Sequence, residues 1–129
     1  MKILRKVQVL TEITDKFQKG FKEDINKTIA DLNVRLREIE QEITKLGKPK
    51  TQEENIRLNS FLHFKEQQLS SIDNLKARVK TVMKMKEGEW LFEASLDSLI
   101  ELKVGDDLYE KTRTGKIKVK DGKIIEIND

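Results

Sequence analysis

Cysteine is absent from this chain of 129 residues. Disulfides and thiolate metal sites are thereby excluded, and a reducing compartment, the cytoplasm, is the expected location. Histidine occurs once, as His63 between Leu62 and Phe64. One imidazole without cysteine makes no cysteine-type nucleophile–base pair, and no serine sits in a glycine-flanked elbow. The six glycines are scattered, so no loop cradles phosphate. The stretch Met1–Lys6 lacks an uninterrupted apolar run, so neither a signal peptide nor a membrane span is expected. Aromatic residues are only 5% against 38% charged, a balance that suits a solvated helical protein better than a large enzyme core. The one Asp-Asp pair, Asp106-Asp107, fits a turn after a strand. No catalytic residue, metal, cofactor or small-molecule substrate is expected, and the chain reads as non-enzymatic.

What is present is periodicity. Ile13, Phe17, Phe21, Ile25, Ile29, Leu32, Leu36, Ile39, Ile43 and Leu46 form one apolar stripe at helical spacing. Leu58, Leu62, Lys65, Leu69 and Ile72 form a second, continued by Leu75, Val79 and Met83. Leu46-Gly47-Lys48-Pro49-Lys50-Thr51 lies between them. Folding the chain back there sets Ile43 opposite Leu58, Ile39 opposite Leu62, Leu32 opposite Leu69 and Ile29 opposite Ile72. The pattern predicts an antiparallel coiled-coil hairpin over residues 12–86. Lys65 falls in the seam opposite Leu36. Thr11 or Thr14 can cap the first helix, Gly47 suits its left-handed end, and Thr51-Gln52-Glu53-Glu54 has capping-box spacing. The second helix is predicted to end near residue 83, although residues 76–86 also alternate like a strand.

Residues 1–11 read as a strand, with Ile3, Arg5, Val7 and Val9 on one face. Residues 87–129 read as a small β lobe that this strand joins. Glu89–Leu96 carries Trp90, Phe92, Ala94 and Leu96 on one face, Leu99–Val104 forms another strand, and Lys116–Lys120 pairs with Lys123–Ile127. A three-residue loop of Lys120, Asp121 and Gly122 with a bulge at the glycine pairs Ile117 with Ile125 and keeps one face apolar. The predicted fold is therefore α+β. A long helical hairpin protrudes from a small antiparallel lobe of about five strands, whose closure into a barrel is left open.

The net charge of +3 is unevenly placed. Residues 1–86 hold 19 basic and 12 acidic side chains, and residues 87–129 hold 7 and 11. Lys76, Arg78, Lys80, Lys84 and Lys86 fall within eleven residues that contain no acid. Lys16 and Lys19 on the facing arm and Arg5 on the first strand extend this positive region, while Asp24 is placed to pair with Lys76. Such a patch is the footprint of phosphate binding, so RNA or a ribonucleoprotein is the expected partner. A solvated helix flank, with lysine stems covering the seam, explains the same residues. Phe61 and Phe64, partly off the seam near the loop, mark a candidate surface for a protein partner or a second copy, as in an oligomerising, chaperone-like adaptor. A wrap of these rings onto the first helix is the alternative.

Three segments together resemble the YlqD family. They are Val7-Gln8-Val9-Leu10-Thr11-Glu12, Glu101-Leu102-Lys103-Val104-Gly105-Asp106, and the closing run Ile117 to Ile127 through Lys120-Asp121-Gly122. The resemblance covers nearly the whole chain and carries over no functional residues. Genes of that family often lie among those for ribosomal proteins and for ribosome or tRNA maturation, which implies a role near RNA.

Overall fold

The computed structural model describes residues 1–128. Its elements are β1 (Lys2–Glu12), α1 (Asp15–Leu46), α2 (Gln52–Lys84), β2 (Trp90–Glu101), α3 (Leu108–Thr112), β3 (Gly115–Lys120) and β4 (Lys123–Asn128). The chain divides into two compact units. One joins Met1–Gln18 to the chain from Met85 onward, and the other is Lys19–Lys84.

The first unit holds a four-stranded sheet in the order β2-β1-β3-β4. β1 pairs antiparallel with β2 and parallel with β3, and β3 pairs antiparallel with β4. The sheet is mixed and open, so the expected five-stranded antiparallel lobe is corrected to four strands without barrel closure. One strand was lost because Trp90–Glu101 is continuous. Asp97 and Ser98, which break the apolar pattern, stay in the ladder opposite Lys6 and Arg5, and Asp97 forms a 2.7 Å ion pair with Lys6. Partners across a ladder share a face. Ile3, Arg5, Val7 and Val9 therefore stand with Ile100, Ser98, Leu96 and Ala94. The register shifts between Val9 and Leu10, leaving Glu93 unpaired. That bulge moves Trp90 and Phe92 to the other face from Ala94 and Leu96, which corrects the expected single row.

The β3–β4 turn also differs from expectation. Lys120 pairs with Lys123, so the loop is the two-residue Asp121-Gly122, with φ of 49° and 81°. Two successive left-handed residues suit the right-handed twist of a hairpin. The bulge lies instead at Ile125, between the Val119–Ile124 and Lys118–Glu126 pairs, and Ile117 meets Ile127. One apolar face is kept by a different device. Ile13 is fully buried where β1 gives way to α1. Its N–H donates to Glu89 O at 2.8 Å, and its carbonyl accepts from Gly88 N at 3.0 Å.

The second unit holds most of α1 and all of α2. Thr14 caps α1, accepting from Phe17 N at 3.0 Å. Gly47, at φ 60°, ends it. Thr51 caps α2 by accepting from Glu54 N at 3.1 Å. The Glu54 carboxylate returns to Lys50 N at 2.7 Å, one residue before a standard capping box. Two contacts show the helices side by side and antiparallel. Lys65 Nζ lies 3.6 Å from Glu40, and the Arg78 guanidinium lies 5.7 Å from the centre of the Phe21 ring.

The α1 residues from Phe17 to Leu46 that were predicted to face inward do so, with Ile39 buried. On α2 the inward row is Leu58, Phe61, Lys65, Gln68, Ile72, Leu75, Val79 and Val82. Leu62, Leu69 and Met83 are exposed, which corrects three of the predicted seam positions. Each has an inward neighbour one residue earlier, so hydrophobicity alone could not fix the phase. Among the described residues, no helix is long and apolar enough to cross a membrane.

Candidate nucleic-acid interface

Helical periodicity builds the strongest part of the predicted basic region. Lys76, Lys80 and Lys84 recur every four residues, which places them in one row on α2. All three are exposed. None forms an ion pair among the described residues, and the expected Asp24–Lys76 pair is not formed. Arg78 is exposed too, but its guanidinium is set over the half-buried Phe21 ring. Cation–π contact of this kind fixes the side chain on the surface while leaving its outer N–H donors available. Lys19 is exposed on α1 in the same unit.

The other three predicted residues belong to the first unit. Lys16 is exposed in the first turn of α1, and Lys86 is exposed just after α2. Arg5 is half-buried on β1 beside Gly115. A Cβ at Gly115 would stand 3.3 Å from Arg5 Nη2, so the missing side chain makes room for the guanidinium. Arg5 lines two cavities of about 610 and 270 Å3, the first shared with Asp107, Glu110 and Lys111 around α3.

The two phenylalanines separate. Phe61 faces α1 and lines a cavity of about 190 Å3 with Glu42, Lys45, Leu46 and Arg57. Phe64 is exposed, as are Leu62 and Leu69 on the same helix. His63 is exposed on α2. Asp106 and Asp107 perform turn and cap chemistry: Lys103 N donates to Asp106 at 2.8 Å, and Glu110 N donates to Asp107 at 3.1 Å. No group of three or more candidate metal ligands occurs among the described residues.

Sequence reading missed a charged aromatic contact on the sheet. Lys118 Nζ lies 5.1 Å from the centre of the Trp90 ring and 3.2 Å from Glu126. A lysine in an alternating strand reads simply as a solvent-facing position, and only the β1 ladders bring β2 and β3 within reach of each other.

A family model described as YlqD protein matches residues 1–128. The chain belongs to the YlqD family. A relative from Bacillus subtilis (strain 168), named Uncharacterized protein YlqD, is 30% identical over 129 residues, covering 98% of both chains. A crystal structure of a protein of unknown function from Synechococcus sp. WH 8102 is similar with a TM-score of 0.77. The match covers 100% of this chain and 95% of that one, at 22% identity. At that identity the likeness concerns the fold alone. YlqD membership thus joins this chain to a relative of nearly the same length.

Proposed function

We propose that this YlqD-family protein is a non-enzymatic, cytoplasmic RNA- or ribonucleoprotein-binding protein, whose helical hairpin is a coiled coil with a phosphate-binding flank. The observation that carries this reading is the row of Lys76, Lys80 and Lys84, exposed and without carboxylate partners among the described residues. A solvated helix flank is usually laced with opposite charges, whereas this row keeps its positive potential. Arg78 and Lys19 add to it from the same unit. The row has no interleaved aromatics, so it favours backbone contact over base reading. Lys80→Glu with Lys84→Glu tests the proposal: binding to a single-stranded RNA should be lost while helicity and melting are retained. Retained RNA affinity would defeat it.

The exposure of Leu62, Phe64 and Leu69 favours a second reading, a protein-binding or self-associating adaptor. Sedimentation of the wild type against Phe64→Ser separates the two, since a monomer in both removes the oligomeric form of this reading.

A further inference from the structure

The edges of the sheet are chemically unequal. β2 is 12 residues long and forms one edge, paired among the described residues only with β1. Its outer row of backbone N–H and C=O groups is therefore open to a further strand. Lysine and proline, which commonly guard an open edge, are missing from Glu87 to Leu102, as is arginine, and the bulge at Glu93 leaves Ala94–Glu101 as a regular stretch of ladder. The charges on this stretch are all negative, at Glu87, Glu89, Glu93, Asp97 and Glu101, and all five residues are exposed. Phe92, Leu96 and Leu99 are 54%, 50% and 61% exposed, and the bulge and pleat divide them between both faces of the strand. An added strand would cover these side chains while pairing the backbone.

We propose that β2 accepts a basic, extended polypeptide segment as a fifth strand of the sheet. Backbone pairing would supply general affinity, and the acidic row would select lysine- or arginine-rich sequences with alternating apolar residues. The charge also argues against a second copy. Two β2 strands would bring ten carboxylates together without a base between Glu87 and Leu102 of either chain. A second copy offering β4 would leave its own β2 open, so that the contact would not close.

The test uses the full chain and three dye-labelled peptides of 12 residues. One alternates lysine with valine, one alternates glutamate with valine, and one is the lysine–valine peptide with alternate backbone amides N-methylated. Fluorescence anisotropy at low salt should show the basic peptide binding at least about tenfold more tightly than either comparator. Glu89→Gln with Glu101→Gln, which leaves the Lys6–Asp97 ion pair in place, should weaken that binding by a similar factor, with the circular dichroism spectrum unchanged. Lys80→Glu with Lys84→Glu should leave it intact, which separates this site from the RNA-binding flank. Equal binding of the N-methylated peptide would overturn strand addition, and equal binding of the glutamate peptide would overturn the role of charge. Absence of binding, or a dimer through β2 seen in sedimentation, would overturn the proposal as a whole.

Discussion

Thr14 donates its hydroxyl to Asp121 Oδ1 at 2.6 Å while the same oxygen accepts from Phe17 N at 3.0 Å. One hydroxyl thus caps α1 and ties the helix start to the β3–β4 turn. Thr14→Val removes both bonds in a buried site and should cost about 1–3 kcal/mol. Thr14→Ser should retain most of that stability. Asp121→Gly keeps the left-handed turn but removes the acceptor. Urea denaturation of the two single variants (Thr14→Val and Asp121→Gly) and of their double should give a coupling of about 0.5–1.5 kcal/mol. Strict additivity would show that the helix cap and the turn are independent.

Gln68 is in the inward row of α2, and its Oε1 is buried without a hydrogen-bond partner among the described residues. Such an oxygen has lost water and gained nothing in return. Gln68→Leu should therefore stabilise the hairpin by about 1–2 kcal/mol, raising the urea midpoint. Lys65 is a different case, because its ammonium reaches Glu40 at 3.6 Å and both side chains are partly exposed. Glu40→Gln should change stability by less than about 1 kcal/mol. A midpoint that falls with Gln68→Leu would mean that the amide fixes register more than it destabilises.

If Lys76, Lys80 and Lys84 each meet one phosphate, affinity for single-stranded RNA should fall with salt. The slope of log K against log salt should be about −2, at roughly −0.7 per phosphate. Lys80→Gln alone, which leaves measurable binding, should reduce the slope by about 0.7. A titration series from low to moderate salt checks this, and a flat dependence would exclude phosphate contact by this row.

Gly115 opens β3 in close quarters. A Cβ there would stand 3.2 Å from Asn128 O, which is backbone, and 3.3 Å from the movable Arg5 side chain. Gly115→Ala should be mild, because a shift of a few tenths of an ångström relieves it. Gly115→Val should cost about 1–3 kcal/mol by forcing β4 or Arg5 aside. Thermal melting of both variants compares them, and equal melting temperatures would show that the space is not tight.

Much of the fold was legible because it rests on local chemistry. Thr14, Gly47 and Thr51 mark helix ends through their own side chains or backbone freedom, and the structure uses all three so. The α1 stripe from Ile25 to Ile43 needed only a period. The α2 phase was harder. Phe61-Leu62 and Val82-Met83 are adjacent apolar pairs, and the polar Gln68 takes the inward place beside Leu69. Strand partners were not legible at all. Nothing local in Val7–Thr11 says that it runs parallel to Gly115–Val119. The bulges at Glu93 and Ile125 likewise depend on the neighbouring strand. Of the candidate site, the lysine row was visible as a spacing of four. The acidic open edge of β2 was not, since sequence does not tell an edge strand from a central one.

β1 is central to the sheet, yet both of its neighbours follow the whole of Asp15–Lys84 in the chain. During synthesis the first strand must therefore remain unmated while the two long helices are made. Sheet assembly then waits for Trp90 to Val119 to emerge, a late, long-range closure that sets the tempo of maturation. A stalled or shortened chain would carry both helices and a bare, adhesive strand, the kind of nascent species that chaperones attend.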